Sequence, residues 1–248
     1  MHLLVVVLVS SLMLEYAVAQ APIPDRPPGF AYKPAPEAPV VLEAWVDLIC
    51  PDSKNAWLTY QAVADHYGPE KVRFSALMFP LPYHRSAMMA AQAAFVANEL
   101  NPELTYAFFD NAFSKQPALS DDNIFDQTQA YVQETLAAWA GEVGYDQTEF
   151  ASRLARSDDT QWLARVEFKY GGTRGVFGTP QTFVNGALVY SEGTWTLDDW
   201  KTVIDPLVSG NSASALSSSV KLVSLNIIVF MLCCFVGETG LKTSYVIL

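Results

Sequence analysis

Residues 40–49 read VVLEAWVDLI, an almost unbroken apolar run that opens on β-branched residues. Such a run predicts a central strand buried on both faces. Cys50-Pro51-Asp52-Ser53 follows, and then Trp57, Leu58, Val63 and Ala64 recur at helical spacing within residues 56–67. Gly68-Pro69 marks the end of that helix. Residues 71–79 form a second apolar stretch, so the opening unit is βαβ and its two strands should pair in parallel.

A long helical region comes next. Residues 86–100 are rich in Ala and Met, residues 102–115 form another segment, and 120–140 and 146–170 add two or three more helices. Ser120-Asp121-Asp122 and Asp146-Gln147-Thr148-Glu149 suit helix starts, with a capping side chain and acidic first turns. The chain then returns to strands. A glycine-rich loop over residues 171–180 leads into Gln181-Thr182-Phe183-Val184, Asn185-Gly186 and Ala187-Leu188-Val189-Tyr190, a hairpin with the signal of a type I′ turn. An amphipathic helix over about 197–208 closes the globular part. The predicted order is βαβ, helical insert over about 84–170, ββα.

The two ends differ from the middle. Residues 1–19 have the apolar run and the Ala17-Val18-Ala19 site of a signal peptide, cleaved before Gln20. Residues 20–39 hold seven prolines and no apolar periodicity, which predicts an extended spacer before a domain spanning 40–208. After it, 209–221 is small and polar, and 222–236 is largely apolar but interrupted by Ser224 and Asn226. A helix of that length covers only ~22 Å, against a hydrocarbon core of ~30 Å. Three readings of 222–248 stand: a signal for attachment of a glycosylphosphatidylinositol anchor near Asn211 or Ser212, a short transmembrane anchor, or neither. The first two would tether the protein to a membrane.

Charge and cysteines narrow the chemistry. A formal net charge of −11 excludes nucleic acid and anionic membrane surfaces as electrostatic partners. The three cysteines are Cys50, Cys233 and Cys234, so residues 40–208 hold one thiol and no internal disulfide. Only three histidines occur, one of them in the signal peptide, and no metal-ligand cluster, P-loop or dinucleotide glycine pattern is present. The Met88-Met89 helix reads as core.

Cys50 stands at the end of an apolar strand and the start of a helix. A thiol there meets free backbone N–H groups and the positive end of the helix dipole, both of which favour thiolate. Pro51 suits the first helical position. Ser53, one turn on, is placed to donate a hydrogen bond to the sulfur, whereas Asp52 opposes a second negative charge.

Cys-Pro at the first strand-to-helix junction and Thr179-Pro180 before the hairpin, in this order of elements, resemble the thioredoxin superfamily. The long helical insert resembles its DsbA-like branch, which includes kappa-class glutathione transferases and related isomerases. Asp47-Leu48-Ile49-Cys50-Pro51 and the stretch from Val176 to Val184 carry the likeness. It implies an α/β, thioredoxin-like fold with a helical insertion between its halves. Redox members carry Cys-x-x-Cys, and here Ser53 takes the place of the second, resolving cysteine. The resemblance further implies that Pro180 is cis and faces Cys50, leaving Thr179 to offer backbone groups to an extended peptide or to glutathione. Gly175 and Gly178 would permit close backbone approach in that loop. Asp47, and by strand parity Glu43, are candidates for a carboxylate that relays protons beneath the cysteine, or for carboxylates held by structural partners. His84 either approaches the site from the end of the second strand or stands exposed at a helix entry.

The expected function is monothiol thiol–disulfide exchange in the secretory pathway, with Cys50 as nucleophile and an external thiol as resolver. No resident cofactor is expected; glutathione is a candidate co-substrate, and peptide or protein thiols are candidate partners. A kappa-type glutathione transferase or isomerase, or a non-catalytic peptide-binding module, are the alternatives.

Overall fold

A computed structural model describes residues 23, 28–35, 37–155, 159–191 and 193–210. The signal peptide expected at 1–19 and the tail beyond Gly210 lie outside these residues. Among the described residues no helix is long and apolar enough to cross a membrane.

Among the described residues the strands and α-helices run β1 (Phe30–Ala31), β2 (Val40–Val46), α1 (Pro51–Tyr67), β3 (Val72–Met78), α2 (Ala87–Leu100), α3 (Thr105–Lys115), α4 (Gln129–Glu142), α5 (Gln147–Ala155), α6 (Asp159–Thr173), β4 (Gln181–Val184), β5 (Ala187–Val189) and α7 (Leu197–Val208), with short 3-10 helices at Pro102–Leu104 and Gln116–Leu119. The sheet order is β1-β3-β2-β4-β5. Strands β2 and β3 are parallel, as a βαβ unit requires, and β4 returns antiparallel to β2 with β5 beside it. This is the α/β, thioredoxin-like arrangement with a helical insertion that the sequence predicts. The β4–β5 turn has φ of 49° at Asn185 and 79° at Gly186, the paired positive values of type I′. Asn185 also fastens the hairpin to β2, donating its backbone N–H to Val41 O at 2.8 Å and accepting from Val41 N at 2.7 Å.

Alternation along β2 divides the core. Leu42, Ala44 and Val46 face the larger hydrophobic layer with α1, α2 and α3, while Trp45 joins Cys50, Leu77, Phe79, Leu81, Val176 and Phe183 on the other face. Helix α6 covers that second face so closely that Gly171 admits no side chain: a Cβ there would lie 2.7 Å from the Trp45 ring and 2.8 Å from that of Phe79. Cys50 thus belongs to a compact apolar cluster.

Several expectations are corrected. The folded unit begins before Val40: Phe30–Ala31 pairs antiparallel with β3, and Phe30 is buried edge-on against Phe95 and Phe109. Strand β2 stops at Val46 rather than continuing to Ile49, because Cys50 N bonds back to Asp47 O at 3.0 Å and closes a turn. No helix starts at Ser120; α4 begins at Gln129, where the Thr128 side chain accepts from Tyr131 N. Asp121 is occupied elsewhere, accepting from Arg85 N at 2.9 Å. Met88 is not core either, being 37% exposed, since α2 turns its alanines inward. A cavity of about 510 Å³ in the helical layer, lined by Arg85, Met88, Met89, Gln92 and Gln133 among others, does not include Cys50.

Candidate active site

Strand β2 delivers the chain to the turn 47–50, and α1 starts immediately after it. Cys50 is the N-cap of α1, with extended φ and ψ of −74° and 122°, and Pro51 occupies the first turn. The thiol is buried and free, and Sγ donates to Thr179 O at 3.3 Å. The Thr179–Pro180 bond is cis. Two segments 129 residues apart in sequence therefore meet at one sulfur. The Thr179 hydroxyl is buried with no hydrogen-bond partner among the described residues.

Asp47 organises the turn. Its side chain is fully buried, and Oδ1 accepts from Ile49 N at 2.8 Å while Oδ2 accepts from Leu81 N at 3.1 Å and meets His84 Nδ1 at 2.7 Å. The structure thus brings His84 to Asp47, with 18% of its side chain exposed. The hydrogen bond to Asp47 is the largest influence on His84 and raises its pKa above the ordinary 6.5; burial opposes this, and the charges of Asp47 and Asp121 add to it. Protonated His84 consequently stabilises the fold at pH below the unfolded value. That contribution is lost as pH rises through the higher folded value.

Ser53 does not make the expected contact with the sulfur. It is fully buried, and its Oγ accepts from Asp47 N at 3.3 Å rather than pointing a hydroxyl at the sulfur. The open backbone N–H of the turn competes for the same short side chain and holds it. Glu43 likewise leaves the site: it pairs with Arg174 at 3.0 Å, and that guanidinium lies 4.7 Å from the Phe183 ring centroid. An added Cβ would meet nothing within 4 Å at Gly175 or Gly178, so close approach does not explain them; Gly175 needs its φ of +76° instead.

Sequence reasoning missed Gln116, whose buried Nε2 donates to Leu48 O at 3.0 Å and ties the helical insert to the residue two before Cys50. No sequence pattern announces that contact. It also missed Tyr83 and Phe177, which stand 65% and 79% exposed on the segments that carry Leu81 and Val176 into the Cys50 cluster. No sequence pattern shows that these two rings are exposed.

Residues 34–206 match the family model Thioredoxin_4, described as Thioredoxin, and the chain belongs to that family. Several solved structures share its fold. A putative protein-disulfide isomerase from Pseudomonas syringae superposes with a TM-score of 0.61 at 16% identity, over 68% of this chain and 94% of that one. DsbA from Chlamydia trachomatis gives 0.59 at 17% identity over 79% and 100%, and oxidised BdbD from Bacillus subtilis gives 0.54 at 18% over 74% and 100%. Likeness at these identities concerns the fold. Comparison with curated protein sequences returns no match.

Proposed function

We propose that the protein carries out monothiol thiol–disulfide exchange on peptide or protein thiols in the secretory pathway, with Cys50 as nucleophile. The observation that carries this reading is the contact of Cys50 Sγ with Thr179 O across the cis bond, beside a Ser53 already held by the backbone. Similar structures that include a putative protein-disulfide isomerase and a DsbA support the same reading.

The Cys50 thiolate attacks one sulfur of a substrate disulfide. A new Cys50–substrate S–S bond forms as the old one breaks, and the displaced sulfur leaves as a thiolate that takes up a proton. Ser53 has no sulfur with which to attack in turn. An external thiolate, glutathione for example, then attacks the mixed disulfide, takes the substrate sulfur into a new disulfide and returns Cys50 as thiolate. The Thr179 backbone offers an extended peptide a strand-like edge, and Tyr83 and Phe177 offer it apolar side chains.

Oxidised glutathione tests the chemistry directly. The folded protein should gain one glutathionyl group on the peptide that carries Cys50, read by mass spectrometry, and Cys50→Ala should gain none there. Absence of the adduct on the folded parent would overturn the reading.

A further inference from the structure

Asp47 is tied to the cysteine turn from both backbone and side chain. Cys50 N donates to its carbonyl, Ile49 N to its Oδ1, and its own N–H goes to Ser53. The remaining oxygen, Oδ2, leaves the turn altogether and meets Leu81 N and His84 Nδ1 on the segment after β3. The carboxylate has no exposure of its own, whereas His84 keeps 18%. Solvent protons therefore reach this pair through the imidazole.

We propose that His84 is a positioning residue whose charge, passed through Asp47, sets the nucleophilicity of Cys50. This rests on the exchange reading for its biological use, though not for its measurement. While His84 is protonated, the pair it makes with Asp47 is neutral overall. When His84 loses its proton, Nδ1–H still donates to Asp47, so the turn keeps its geometry, but the pair now carries one net negative charge. A net negative charge at the turn opposes an anion on the sulfur at its end. The backbone need not move for the thiol to become a poorer nucleophile.

Three other side chains surround the imidazole or adjoin it: Tyr83, Asp121 and Arg85. Tyr83, from its own loop, lies 5.0 Å away between ring centroids. Asp121, from the connection before α4, adds negative charge that favours the protonated ring. Arg85 is adjacent, but its guanidinium is engaged by the carbonyls of Ile124 and Phe125. Cys50 lies at the far end of the turn that its N–H closes onto Asp47 O. Asp47 alone is in direct hydrogen-bond contact with the ring among these, and it is the one that joins the ring to the cysteine.

The test is the rate of Cys50 alkylation by iodoacetamide as a function of pH. It is read by mass spectrometry on the Cys50 peptide of the whole chain, for the parent and His84→Asn. Asparagine can keep a donor toward Asp47 yet cannot carry the charge. The parent profile should show two inflections, the lower one coinciding with His84 titration followed by imidazole proton resonances. His84→Asn should show one, with alkylation on the order of three- to tenfold slower near pH 6 and converging with the parent above about pH 8. Thermal unfolding of both proteins separates this from a loss of structure. A His84→Asn profile that superimposes on the parent's, at unchanged stability, overturns the inference. Should His84→Asn fail to fold, the parent decides alone: a single inflection, or a lower one that does not track His84, overturns it. Failure to form a glutathione adduct alongside a two-inflection profile would sink the exchange reading and leave this one standing.

Discussion

On the proposed exchange chemistry, Ser53→Cys should replace accumulation of a mixed disulfide on Cys50 with turnover. In a Cys-x-x-Cys site the second thiol resolves the first bond within the same helical turn, and Ser53 has that sequence position without the sulfur. The substitution adds little volume at a fully buried site and gives up the bond from Asp47 N, a cost of about 1 kcal/mol. An intramolecular attack gains greatly in effective concentration over an external thiol. Insulin reduction with dithiothreitol should therefore rise on the order of tenfold or more above the parent, and the glutathione adduct on Cys50 should no longer accumulate. A folded variant that forms its 50–53 disulfide yet gives parent-level reduction would mean that substrates do not reach Cys50. A peptide-binding role would then be the better account.

Trp57→Ala should produce the largest loss of stability of any single change near the site. Trp57 is buried one turn beyond Ser53, stacks on Tyr106 at 5.5 Å and packs against Phe74, Phe109 and Phe113. Its Nε1 donates to Asp110 Oδ1 at 2.6 Å. Removing the indole leaves a cavity between α1 and the helical insert and a carboxylate short of a donor, which together cost about 3–5 kcal/mol. Urea unfolding should show the midpoint fall with little change in slope. A loss below about 1 kcal/mol would mean that α1 is not anchored through this ring. Because α1 presents Cys50 at its first turn, the same variant should also alkylate faster at Cys50 under mild denaturant.

How much of this was legible beforehand follows from the range of the interactions. The strand–Cys-Pro–helix unit, the Asn185-Gly186 turn and α7 rest on local periodicity and turn chemistry, and the sequence displays them in order. Helix α7 even carries a reciprocal cap between Thr196 and Asp199. Phe30–Ala31 was not legible, since two residues in a proline-rich stretch carry no period and pair only because β3 offers an edge. The site divides the same way. Cys50, Thr179 and Pro180 announced themselves by motif. The bond from Asp47 N to Ser53 and the span from Asp47 to His84 depend on how a turn closes and where a distant loop lands. Asp121 looked like the start of a helix, and only the position of Arg85 N shows why it is not.

The short strand Phe30–Ala31 has a practical consequence for anyone who cuts this chain. It lies along the outer edge of β3, with Phe30 opposite Ala76 and Ala31 opposite Ser75, and Tyr32 N donates to Phe74 O just beyond. A fragment begun at Val40 would keep every residue of the cysteine site and lose this cover. The seven-residue β3 would then present a row of unpaired amides and carbonyls, with a vacated slot where Phe30 had packed on Phe95 and Phe109. Bare edges of that kind recruit other chains. The fragment should sediment as oligomers where one begun at Pro28 stays monomeric, so a dozen residues with no part in the chemistry decide whether the protein can be handled at all.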